Sequence, residues 1–448
     1  MKVSKKVIGN LEKCYSVAPL TYKGKKHMLV AAEKVNQCRL YDLEGNQEEV
    51  IWEGPGGTMS MVQVPGSDGQ FLATHKFYSP NDSKEAKIIL AYPEDGEWKV
   101  RTLAELPFVH RFDIISRNGV NYVIACTLKS GHEYKEDWRS PGEIQVCVLS
   151  EDLSTVDEEH PLQFEVLKEG LLKNHGYCKA EVDGVLRSYV AANEGVFECT
   201  PPESAEGTWE IKQVLDEASS DMAFADFDND GELEMLTISP FHGEKISIFK
   251  KTDDEFKKIY TYEKDAEFAH GIWGGEINGV NGVLIGHRKG ERNLLFFRCT
   301  DAEKLIFTAD LLDSDVGPAN VLHYTNNEIQ TEIRKLDADM ESRSEKLAQA
   351  FMKYKEGELS KEAYIEMKDD RNSWKEFCEE RKKSLEQTIR KLEKQQKEEA
   401  RFLRSLLELD GTTRINAELA EGLIESMYLY GDGKLEINFG FKGVVEHE

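Results

Sequence analysis

No stretch of this chain approaches the ~18 consecutive apolar residues that a membrane-spanning helix needs, and no two of its eight cysteines stand as a Cys-x-x-Cys pair. The first absence excludes a helical membrane protein. The second argues against a zinc ribbon or a disulfide framework and for reduced, mostly buried thiols. The first ten residues carry lysines but no apolar core and no cleavage site, so no secretory signal is expected and the cytoplasm is the expected compartment. Positive charge is also scarce. Residues 325–448 hold 22 Lys+Arg against 28 Asp+Glu, which leaves 35 against 55, a net of −20, for residues 1–324 of a chain whose total is −26. An acidic body does not attract a phosphate backbone, so DNA is not an expected ligand of the first part. Proline is missing after Pro318.

What the first 324 residues do contain is a repeat. Gly-containing turns at Tyr22-Lys-Gly-Lys, Arg117-Asn-Gly-Val, Val182-Asp-Gly-Val and Ile277-Asn-Gly-Val are each followed by an apolar strand. Asn-Gly and Asp-Gly between such strands are strong hairpin signals, because both turn residues need positive φ. First strands are expected to start near Tyr15, Met59, His110, His175, Asp221, His270 and Ala319, at intervals of 44 to 65 residues. That is the spacing of four-stranded propeller blades. The expected fold is mainly β: a seven-bladed-type β-propeller over residues 1–324 whose last blade is truncated, with residues 3–9 as an outer strand closing the ring.

The turn of the fifth repeat reads Asp226-Phe-Asp228-Asn-Asp230-Gly231, with Glu234 following. Alternating carboxylates and a Gly that permits a sharp bend suit a hard cation. No helix–loop–helix surrounds the loop. It resembles the calcium loop of FG-GAP/VCBS-type propeller repeats, and the resemblance implies one structural Ca2+ on Asp226, Asp228, Asp230 and Glu234.

In a propeller, the loop entering each first strand and the loop leaving each second strand share one face. His110, His175 and His270 open first strands, while His75, His242 and His287 follow second strands. Asp113, Tyr177, Asp221, Arg288 and Lys289 occupy the same slots. Histidines converging from several blades suit a transition metal or proton transfer. Such a mouth is similar to those of propeller sugar-acid lyases and sugar dehydratases. That likeness implies β-elimination, with a divalent metal on His175, His270 and His287 acidifying a C–H, His110 or Tyr177 as base, and Arg288 pairing with the substrate anion. The competing reading is a non-catalytic module that binds a glycan or a protein at the same mouth.

Beyond Pro318 alternation gives way to heptads. Ile329, Ile333, Leu336, Met340, Leu347, Phe351 and Tyr354 form one stripe, Glu356-Gly-Glu-Leu-Ser interrupts it, and Ser360 is placed to cap a second helix running to about Leu409. Residues 325–410 therefore read as an antiparallel coiled-coil hairpin, and residues 411–448 as a short helix, 417–426, followed by a β-hairpin. Tyr354-Lys-Glu-Gly-Glu-Leu-Ser, Thr413-Arg-Ile-Asn-Ala-Glu-Leu and Leu435-Glu-Ile-Asn-Phe-Gly-Phe resemble the C-terminal end of large serine recombinases over residues 327–441. The serine catalytic domain of that family has no counterpart here. What the resemblance implies is a non-catalytic, fused tail that mediates self-association.

Overall fold

The computed structural model describes residues 3–324 apart from positions 4, 135 and 254, scattered positions between 340 and 383, and the backbone of strands Ile424–Leu429 and Leu435–Phe439. The chain divides into two compact units, Met1–Tyr324 and Thr325–Glu448. No described helix is long and apolar enough to cross a membrane.

Unit one consists of six four-stranded antiparallel sheets in simple up-and-down order, over residues 14–52, 61–105, 109–171, 176–215, 221–261 and 269–313. The hairpins follow from their turn residues. Asn118-Gly119 and Asn278-Gly279 both take positive φ at both positions, and each joins a first strand to a second. A left-handed residue also precedes the inner strand in several sheets, at Lys13, Phe108, Lys173 and Phe268.

Packing between neighbouring sheets sets their order. One buried cluster joins the first sheet to the second through Leu29, Leu40, Phe71 and Ile89. Others join the second to the third, the third to the fourth, the fourth to the fifth and the fifth to the sixth. Tyr15 of the first sheet meets His270 of the sixth. The unit is a β-propeller, and its described residues form six four-stranded blades.

The expected seventh blade is absent among the described residues. Residues 315–324 form no strand, and no strand among the described residues pairs with them. They act instead as a strap across the seam between blades six and one. Val321 packs on Ile277, Leu284 and Phe296 of blade six, and Leu322 on Met28, Val30 and Tyr41 of blade one. The Tyr324 hydroxyl donates to the Leu43 carbonyl at 3.1 Å. Gly286 lies against Pro318 so closely that a Cβ there would meet its ring at 2.5 Å. Nor do the described residues before Cys14 form the expected outer strand. Blade six already has four strands of its own, and Lys5 reaches its last one only through an ion pair with Asp313 at 2.7 Å.

In unit two, residues 346–355 and 361–365 are helical, with a turn at Gly357. Ser360 caps the second segment as expected: its Oγ accepts from the Ala363 N–H at 3.1 Å. Tyr354 stacks on Tyr364, Arg371 donates to Ser344 Oγ, and Arg343 lies over Trp374. These pairings have the order of an antiparallel hairpin. Leu385, Ile389, Leu392 and Phe402 of the expected coiled coil lie outside the described residues, as do 417–423 of the expected short helix. Residues 424–426 of that helix instead open the strand Ile424–Leu429, which pairs with Leu435–Phe439.

Candidate metal centre at the mouth of the propeller

Four of the six histidines in the shared slots meet. The ring centroids of His110 and His175 lie 4.5 Å apart, His175 and His242 4.9 Å, His175 and His270 5.2 Å, and His242 and His270 5.3 Å. The backbone decides which nitrogen each ring offers. His175 Nδ1 lies 3.1 Å from the Ser220 carbonyl, and His270 Nδ1 lies 2.8 Å from that of Ala319. A carbonyl only accepts, so both Nδ1 atoms carry the proton and both Nε2 atoms present a lone pair. His242 Nε2 faces His175 Nε2 at 3.3 Å. One ligand atom each from His175, His242 and His270 falls within a 4.8 Å group.

The rings are held neutral. Burial first, then neighbouring cations and the other histidines, pushes His110, His175 and His270 well below the ordinary imidazole value. His242 is lowered to about 3, by burial first and then by Arg288, Arg111, Lys173 and Lys289. Three neutral nitrogens converging with no carboxylate or thiolate among them suit a transition ion such as Zn2+ rather than Mg2+ or Ca2+. Such an ion would take the place of a hydrogen bond, since the Tyr15 hydroxyl now donates to His270 Nε2 at 3.0 Å.

Below the rings, the inner strands of all six blades line a cavity of about 190 Å³ that includes Ser16, Met61, Arg111, Tyr177, Asp221 and His270. Asp221 is 2% exposed, and its Oδ1 accepts from the Met222 N–H. Burial raises its carboxyl to about 7, although Arg111 pulls the other way. Tyr177 lies in the cavity wall with its hydroxyl 2.9 Å from Ser188 Oγ; burial, then the Asp113 carboxylate, holds that hydroxyl protonated.

The remaining sequence candidates lie outside the three-histidine group. His287 is not in the three-histidine group: its Nε2 accepts from the Asn293 N–H at 3.0 Å and its Nδ1 faces the Lys289 carbonyl, so both nitrogens serve their own loop. His242 takes the place expected of it. Arg288 stacks over Phe268 at the rim, 5.5 Å from the ring. His75 packs on Trp52. Tyr15 and Asp221 open inner strands in the same slot as the histidines, and that shared position is the signal that marks them.

The Asp226 loop faces a cation supplied by the chain. Lys250 Nζ lies 2.8 Å from Asp228, 2.7 Å from Asp230 and 2.6 Å from Glu234, while Asp226 accepts from the backbone N–H groups of Asp230 and Gly231. These carboxylates raise the lysine's affinity for its proton. Calcium would have to displace it. With Lys250→Met the cage is expected to gain calcium-dependent stabilisation, a rise in melting temperature at millimolar Ca2+ that exceeds any rise in the parent. Equal responses of the two proteins would show that Lys250 does not block the site.

No family model matches this chain, and no curated protein matches it. Among solved structures, a functionally unknown protein from Desulfotomaculum acetoxidans DSM 771 aligns at 10% identity and a TM-score of 0.43, covering 68% of this chain and 86% of that one. The Dos1 propeller aligns at 9% identity and a TM-score of 0.42, covering 68% and 70%.

Proposed function

We propose that unit one is a metal-assisted carbon–oxygen lyase or dehydratase acting on a small sugar or sugar acid at the mouth of the propeller. The observation that carries this reading is the convergence of His175, His242 and His270, with two of the rings fixed by backbone carbonyls so that Nε2 presents a lone pair. A divalent transition metal, when bound, would polarise the substrate's carbonyl or carboxylate and acidify the neighbouring C–H.

The chain's own groups divide the proton work. Asp221, with its carboxyl raised to about 7, is poised to take the proton from carbon. Tyr177 stays protonated and is suited to donate to the leaving oxygen as the C–O bond breaks, rather than to act as the base. His110, neutral and with a buried Nδ1 that has no hydrogen-bond partner among the described residues, is the alternative base. The test is a panel of uronates and ketoses with Zn2+, Mn2+ or Co2+ supplied. Asp221→Asn is expected to lower kcat about 10²–10⁴-fold while leaving the melting temperature at pH 8 unlowered. A protein inactive on the whole panel that still binds glycans would instead be the non-catalytic module.

For the Asp226 loop we propose a structural role, with Lys250 as the resident cation and calcium as its competitor. For unit two we propose a recombinase-like, non-catalytic role in self-association, checked by light scattering of the full chain against one ending at Tyr324. A monomeric full chain removes that role.

A further inference from the structure

Immediately around the histidines the charge balance of the molecule reverses. Phe241 stacks on His242 with centroids 4.0 Å apart and meets His175 at 5.4 Å; Phe268 lies 4.4 Å from His242, and Trp138 packs on Phe241. Each of these rings carries cations on its face. Lys173 lies 5.3 Å from Phe241 and 5.7 Å from Trp138, Lys289 lies 5.2 Å and Arg288 5.5 Å from Phe268, and Lys129 lies 4.0 Å from Trp138. Arg111 stands in the cavity wall below, with Nη1 donating to the Met59 carbonyl.

Among the described residues none of Arg111, Lys173, Arg288 and Lys289 forms an ion pair, although Glu267 lies across the Lys289 loop against Gly290, whereas the buried Lys129 ammonium donates to Asn81 Oδ1 and the Asp137 carbonyl. In a propeller unit with 55 acidic side chains against 35 basic ones, a gathering of basic side chains at one mouth runs against the overall balance. Other cations of the unit are paired, as at Lys76–Glu85, Lys179–Asp113 and Lys245–Asp265. Aromatic faces orient a cation and remove part of its water without spending its charge, which leaves it available to an arriving anion.

We infer that Lys173, Arg288 and Lys289, with Arg111 beneath them, form an anion-binding collar that selects a ligand bearing a carboxylate or phosphate and holds it over the histidines. The inference rests on the reading of this mouth as a substrate site and narrows the ligand to the acid or phosphate form. Around the mouth, the acidic remainder of the unit repels anions, so only a ligand that reaches the collar is captured.

Calorimetry on the full chain with D-glucuronate, D-glucose 6-phosphate and D-glucose tests this. At least one anion is expected to bind, with an affinity that falls as salt rises, and glucose is not. Whichever anion binds more tightly identifies carboxylate or phosphate as the recognised group. The double variant Arg288→Met/Lys289→Met, whose side chains lie at the rim, is expected to weaken anion binding by about tenfold or more. Lys173→Met serves as an independent second variant with an effect in the same direction. Repeating the titration with metal removed by a chelator separates the two readings: a preference for the charged ligand that persists in a protein that takes up no metal supports the collar while removing the lyase. Glucose binding as well as glucuronate, or anion affinity unchanged in both variants, overturns the collar.

Discussion

Alanine at His175 or at His270 is expected to take the protein from about one bound transition ion per chain to none that survives dialysis. Each ring supplies a lone pair that no neighbour can replace, because its orientation is set by a particular carbonyl: Ser220 for His175 and Ala319 for His270. His242→Ala is expected to behave the same way, since its Nε2 faces that of His175. His287→Ala is the internal control and should retain the metal, because its ring nitrogens serve the Lys289–Asn293 loop. Elemental analysis after loading with Zn2+ or Co2+ checks all four variants. Full occupancy in both the His175 and His270 variants, or no uptake by the parent, rejects the metal centre.

In metal-free protein the same histidines are expected to make folding strongly pH-dependent. A histidine whose folded pKa lies below its unfolded value of 6.5 contributes stability that is complete above that value and is lost as the pH falls. His110, His175, His242 and His270 all act in this sense. Asp221 acts in the opposite sense: raised from 3.8 to about 7, its contribution is complete below 3.8 and is lost as the pH rises through 7. Buried His75, lowered to about 3, adds to the histidines that the unfolded chain protonates as the pH falls, while the folded chain holds the Asp221 proton. The uptake by the unfolded histidines outweighs the opposing proton of Asp221, so stability is expected to fall as the pH falls below 6.5. Urea unfolding at pH 7.5, 6.5 and 5.5, with a chelator present, measures it. His110→Phe, which keeps an aromatic ring against Phe77, should reduce the steepness of this fall. A slope that does not respond to this substitution would mean that the buried ring is protonated in the fold.

The parts of this protein that were legible in its sequence are those governed by local patterns. Hairpin turns such as Asn118-Gly119 announce themselves because few residues accept their φ values. With them came the positions of the inner strands, which begin within two residues of expectation at Cys14, Met61, Val109, Gly176, Asp221 and Ala269. The placing of His110, His175 and His270 on one mouth followed from strand order alone. What escaped the sequence depends on loop conformation and on partners distant in the chain. His242 and His287 both follow second strands. One turns toward the cluster through a left-handed backbone (φ 49°), whereas the other is captured by the Asn293 N–H. Lys250 reaches the Asp226 loop from the third strand of its blade, beyond any motif. Ala319–Tyr324 has the composition of a first strand, but no strand among the described residues pairs with it, and it lies as a strap instead.

That strap also places the site late in the life of the chain. Blades can pair their own strands as each emerges, since every sheet is built from consecutive hairpins. The Tyr15–His270 contact, however, spans 255 residues and the Tyr324–Leu43 contact 281. His270 receives its backbone acceptor only when Ala319 arrives. During synthesis the three-histidine group therefore forms after nearly all of the propeller unit exists. A chain that ends before Ala319 lacks the carbonyl that fixes His270, so the complete three-histidine geometry requires the whole ring.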